Sequence, residues 1–290
     1  MSTVHVLASG LHFGEGPRWH NGVLWFSDFF DYAVKTVDLD GRVEVKLSLP
    51  DRPSGLGWMP DGRMLIVSMT ARSVLRLEDR KLVLHADLSP IATFHCNDMV
   101  VDSVGRAYVG NFGFDLDTAE INGTLGEVVA AHHGATLARV DPDGSIHRAA
   151  DALMFPNGTV ITPDGRTLIV AESFGGRLTA FDIAGDGSLS NRRVWADLGR
   201  RVPDGICLDA DGAIWVANPI SPECFRVVEG GEVVDVIETD HRCFACMLGG
   251  PDRRTLFMLT SQFSLAVEAS VRRTGNVLIT EVNTPGAGLP

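Results

Sequence analysis

One pattern restricts the possible folds of this chain more than any other: a tight-turn signal followed by a short apolar strand, repeated six times along its length. The copies are HNGVLWFSD, PDGRMLIVSM, SVGRAYVGNF, PDGRTLIVAES, ADGAIWVANP and PDRRTLFMLTS, with Gly22, Gly62, Gly105, Gly165, Gly212 and Arg253 at the marker position. Successive markers lie 40, 43, 60, 47 and 41 residues apart. Four of the five intervals match a four-stranded propeller blade, and the 60-residue interval implies an insertion.

Each marker strand is followed by a second alternating run, such as VKTVDLDG or LTAFDIAGDG, and preceded by a third, such as GEGPRW, SGLGWM or NGTVIT. Asp-Gly and Asn-Gly between runs are hairpin chemistry, because glycine takes the positive φ that a tight turn requires. Regular short strands without 3.6-residue periodicity predict an all-β fold, and radial repetition protects its edges. The expected architecture is a single six-bladed β-propeller domain over residues 1–290 with four-stranded blades. VHVLAS near the start and NVLITEV near the end are spare strands, whose pairing in one blade closes the ring. The insertion, near residues 113–137, is expected as a loop over the channel face.

A net charge of −12 opposes binding to nucleic acid or to an anionic membrane surface. The N-terminus lacks a basic segment followed by a long apolar one, and no apolar run reaches the length of a spanning helix. The expectation is a cytoplasmic monomer or small homo-oligomer. Five cysteines in 290 residues predict reduced thiols, and Cys243-x-x-Cys246, with no second pair, reads as buried strand thiols rather than a zinc site.

Aligning the units on their markers places one residue per unit at a common position. Eight residues before the marker stand Ser54, Asn97, Asn157, Asp204 and Ala245; in the first unit, where the turn is one residue shorter, Glu15 takes the place. The first strand of every propeller blade lines the central channel, so these six positions form a ring. Taken singly, Asn-Gly or Asp-Gly is a turn signal. Four carboxylate or amide side chains in register are the inventory for a hard divalent cation. Calcium leads; magnesium, manganese and zinc remain open, with oxygen-only donors favouring the first three. Phe94, Phe112, Phe114, Phe155 and Phe244 lie near the ring positions, and such apolar walls suit a less hydroxylated substrate.

GEGPRW, CNDMVVDSVGRAYVGN, FPNGTVITPDGRTLIVAES, NRRVWADL and VPDGICLDADGAIWVAN together resemble the SMP-30/gluconolactonase/luciferin-regenerating-enzyme family of six-bladed propeller lactonases along essentially the whole chain. The resemblance implies that Glu15, Asn157 and Asp204 hold one divalent metal ion. It also implies that Asn97 contacts substrate or the ion's water, and that Asp204 doubles as general base. His95 stands where sugar lactonases of the family have an Arg that binds substrate hydroxyls, and Asp115 where they often have a Glu. Both are therefore expected at the substrate, and both departures point away from a sugar lactone.

The implied reaction is hydrolytic opening of a small-molecule lactone, the ion polarising the carbonyl and Asp204 activating water. His95 is a further candidate for proton transfer because an ordinary imidazole titrates near neutrality. Two alternatives stay open: a related propeller hydrolase acting on phosphotriesters or other cyclic intermediates, and a metal-binding propeller without turnover.

Overall fold

The structure, a computed structural model, describes residues 3–290. It is a six-bladed β-propeller of six four-stranded antiparallel sheets. The innermost strands of blades one to six are Gly14–His20, Pro53–Trp58, Cys96–Val101, Pro156–Ile161, Ile206–Leu208 and Arg242–Gly249. Within blades one to five the strands follow chain order from the axis outward.

Blade six closes the ring. Its fourth strand is the N-terminal His5–Leu11, antiparallel to the third strand Gly275–Glu281. The two ends of the chain thus share one sheet, which is the pairing the spare strands predict. The apolar cluster at this seam is built from blades five, six and one, with Trp215, Phe257 and Phe26 fully buried.

The marker turns form for the reason the sequence gives them. Gly22, Gly62, Gly105, Gly165 and Gly212 all have φ between 70° and 93°, and Arg253 in the sixth unit has φ 60°. Without a Cβ, glycine enters this left-handed region at no steric cost; Arg253 does so at a cost.

The last segment of the chain crosses one end of the channel. Ala287 N donates to Leu208 O (2.9 Å), and Ile161 and Leu289 exchange two backbone hydrogen bonds of 2.8 and 2.9 Å. Leu208 and Ile161 end the innermost strands of blades five and four, so this strap covers the end of the channel opposite the ring residues.

The insertion differs from the expected loop. It forms two short helices, α1 (Leu116–Ile121) and α2 (Leu125–Ala131). No described helix is long and apolar enough to cross a membrane. All five cysteines are buried and free, and Cys207 Sγ lies 3.8 Å from Cys246 Sγ across the seam between blades five and six.

Candidate active site at the channel mouth

Glu15, Ser54, Asn97 and Asn157 each occupy the second position of an innermost strand. In all four blades the register with the neighbouring strand shifts immediately afterwards, between Glu15 and Arg18, Pro53 and Leu56, Cys96 and Met99, and Pro156 and Thr159. A bulge bends the strand and re-aims a side chain, and Glu15, Asn97 and Asn157 line the channel mouth while Ser54 supports Asn97. Asp204 is positioned differently. It precedes its strand by two residues and is held by its own N–H, which donates to Ala217 O at 3.0 Å.

The glycines after the ring residues set the diameter of the ring. A Cβ at Gly158 would stand 2.6 Å from Asp204 O, and one at Gly205 would stand 2.7 Å from the Ala245 Cα. Neither position has positive φ, so Asn157-Gly158 is not a turn; the glycine lets adjacent blades close on one another.

Ring residues join across blades through side chains. Ser54 Oγ donates to Asn97 Oδ1 (3.3 Å), Asn97 Nδ2 to Asn157 Oδ1 (2.9 Å), Asn157 Nδ2 to Ser173 Oγ (3.2 Å), and Ser173 Oγ to Pro203 O (2.8 Å). The chain orients both amide oxygens, and the carbonyl oxygen of Asn157 keeps a second lone pair.

Glu15 and Asp204 are the unusual pair. Both are buried, and neither has a cationic side chain within salt-bridge distance among the described residues. Burial pushes the Glu15 carboxyl well above the ordinary carboxylate range, and repulsion from Asp204 pushes it further. Burial likewise raises Asp204, against a favourable contact from the Asn157 amide. Two buried carboxylates competing for one space favour protonation or a bound cation. Among the described residues no three His, Cys, Asp or Glu side chains gather into a metal-binding cluster. An ion here would have these two carboxylates and the Asn157 amide oxygen as donors, an all-oxygen set that suits a hard divalent cation.

Glu15, Asn97, Asn157 and Asp204 form the floor of a cavity of about 210 Å³. Its sides are mostly apolar, with seven phenylalanines, and Leu116, Asp117, Glu120 and Leu125 of the two-helix insertion also line it. Arg52, Arg242 and Ser173 also face it and carry no signal in the ring register, because they stand at strand starts and in connections.

The other predicted positions fall outside this lining. Ser54 lies behind Asn97, Ala245 is fully buried, and His95 packs on Phe94 with ring centroids 4.1 Å apart. Burial, with Arg52 nearby, lowers the His95 pKa to about 4, so its ring is neutral near neutrality. Asp115 is the N-cap of α1: its carboxylate accepts from Thr118 N (3.0 Å) and Thr118 Oγ1 (2.8 Å). A cap satisfies a helix-terminal N–H that would otherwise go unpaired.

The description "SMP-30/gluconolactonase/LRE-like region" is that of a family model matching residues 13–262. The chain belongs to this family. The propeller shares 27% identity with the 6-deoxy-6-sulfogluconolactonase of Pseudomonas putida, over 96% of this chain and 94% of that protein. It shares 24% with regucalcin of Xenopus laevis, over 88% and 85%. Among solved structures, luciferin-regenerating enzyme superposes with a TM-score of 0.81 at 16% identity, covering 99% of this chain and 98% of that one. That likeness is one of fold. The matched region includes all four floor residues of this SMP-30/gluconolactonase/LRE-like propeller.

Proposed function

We propose that this propeller is a divalent-metal-dependent lactonase, hydrolysing the ester bond of a cyclic substrate at the floor of the channel mouth. The observation that carries this reading is the buried Glu15–Asp204 pair, with no cationic partner among the described residues, beneath an apolar cavity. The membership of the family and the name of the Pseudomonas putida relative support the same chemistry.

Glu15, Asn157 and Asp204 would hold the ion, with calcium the first expectation for oxygen donors and magnesium, manganese and zinc the others. Bound there, a divalent cation supplies Lewis-acid stabilisation of the charge that develops on the carbonyl oxygen. A divalent cation at the floor would favour the ionised form of Asp204 against its burial, and the ionised carboxylate would accept the proton of the attacking water. Asn97, held by Ser54 and Asn157, directs its amide at that water or at the ring oxygen. The aromatic sides exclude bulk solvent, which strengthens each polar interaction at the floor.

Acid release from a panel of lactones, measured before and after chelation and after calcium is restored, tests the reading. Turnover is expected to disappear with chelator, return with the ion, and be absent in Asn157→Ala and Asp204→Ala. Full turnover in chelator, or in either variant, would sink it.

A further inference from the structure

The cavity has two aromatic walls on opposite sides of the axis. Phe13, Phe29, Phe30 and Phe244 come from blades one and six, and their rings touch one another: Phe13 lies 4.7 Å from Phe244 and 5.4 Å from Phe29 between centroids. Phe112, Phe155 and Phe174 come from blades three and four, with Phe155 at 4.5 Å from Phe112 and 5.1 Å from Phe174. In a six-bladed ring these blade pairs face each other, blade one opposite four and six opposite three. Among the described residues no ring-to-ring contact passes from one wall to the other, although Phe112 packs against the apolar cluster of Phe13, Phe29, Met69 and Phe244 and so links the two walls.

Most polar side chains of the cavity lie at its floor and its rim, and two arginines lie over rings of the first wall. Glu15, Asn97, Asn157 and Asp204 make the floor, and Ser173, Asp117, Glu120 and Ser264 also line the cavity. Arg52 is already engaged, 3.8 Å from Asp117 and over the ring of Phe30 at 5.6 Å, and Arg242 lies over Phe244 at 5.5 Å. A polyhydroxylated ring lying between the walls would bring hydroxyl groups against aromatic faces, where each loses its water without gaining a partner. A planar apolar group meets two sets of aromatic faces instead.

We infer that the substrate is a flat, hydroxyl-poor lactone carrying an aromatic ring, with the ring between the two phenylalanine walls and the carbonyl at the Glu15–Asp204 floor. This rests on the lactonase reading above. The two walls are then the specificity determinants of the site; Phe30, Phe112 and Phe174 are their half-buried members, and Phe30 and Phe174, which are not stacked face to face on a neighbouring ring as Phe112 is on Phe155, can be shortened with least damage to the core.

The test compares kcat/KM of the metal-loaded protein for three lactones of one ring size: dihydrocoumarin, unsubstituted δ-valerolactone and D-glucono-δ-lactone. Each rate is normalised to hydroxide-catalysed opening of the same compound, because an aryl ester opens faster in water. Dihydrocoumarin is expected to exceed gluconolactone by about 100-fold or more. Phe30→Ala and Phe174→Ala are each expected to lower the dihydrocoumarin value by about tenfold, mainly through KM, with a much smaller loss for δ-valerolactone. Preference for gluconolactone, or equal losses on all three compounds in the variants, would overturn the inference and leave the lactonase reading standing. Opening of none of the three would overturn both.

Discussion

The innermost strand of blade one buries a carboxylate, Glu15, and three residues later a guanidinium, Arg18, and the two are treated in opposite ways. Arg18 is saturated: it donates to Asp98 Oδ1 at 2.6 Å and to the carbonyls of Pro17, Leu56 and Met99 at 2.7, 2.9 and 2.5 Å. Those partners belong to three successive blades, so one side chain ties the inner strands together. Glu15 faces Asp204 and has only the N–H of Gly16, at 3.0 Å, as a hydrogen-bond donor among the described residues. The same channel thus contains a charge pair completed within the fold and one that is left incomplete. Incomplete pairs cost stability, and a scaffold keeps one where something else binds.

Replacing the incomplete pair should therefore separate activity from stability. Glu15→Gln removes a repelled, buried charge while keeping shape and one acceptor oxygen. Under the proposed function, lactone turnover falls on the order of 10³-fold. The melting temperature of the chelator-treated protein rises by several degrees, since the desolvated carboxylate is gone. Thermal unfolding in chelator and turnover with calcium check the two halves. A variant that is both inactive and less stable would break the contrast.

The completed pair should respond in the reverse sense. Arg18→Met leaves Asp98 buried without its counter-charge and frees three carbonyls, and the expected loss is about 3–5 kcal/mol in denaturant unfolding. Turnover per folded molecule should change far less than in Glu15→Gln, because the floor of the cavity is not touched. Adding Asp98→Asn to Arg18→Met, which removes the buried charge left without a partner, is expected to recover part of the loss. A loss below about 1 kcal/mol in Arg18→Met would mean that the pair is no better compensated than the one above it.

This contrast was only half legible in the sequence. The marker glycines fixed blade boundaries because each hairpin needs a left-handed residue, and counting back from them found Glu15, Asn97, Asn157 and Asp204. Those four share the floor of the cavity. Arg18 and Asp98 follow the ring residues without sharing their register, and only the closing of blades one to three brings them together. Ser173 carries no such signal, since it follows the marker strand of blade four and the ring register lies in the strand before it. The insertion reads as a loop in the sequence because helices of six and seven residues are too short to display a 3.6-residue period. Asp115 was drawn to the substrate by the resemblance, although Asp with Thr118 three positions on is also a local helix start.

His95 extends the contrast to the edge of the site. Like the two floor carboxylates it is driven toward its neutral form by burial, which lowers its pKa from 6.5 to about 4. Arg52 and Arg72 act in the same direction, while Asp51 and Asp115 oppose them. The folded-state value lies below the unfolded one, so between these limits the unfolded chain binds more protons. The stability contributed by the neutral imidazole is fully present above about pH 6.5 and is lost progressively as the pH falls toward 4. A side chain that does not titrate here removes that dependence: His95→Gln should hold a constant offset from the parent above pH 7 and gain on it steadily below 6.5. The ring resonances of His95, followed by NMR from pH 8 downward, should stay unprotonated through pH 5. A titration midpoint near 6.5 would place His95 in solvent, restore it as a proton carrier, and confine the uncompensated environment to Glu15 and Asp204.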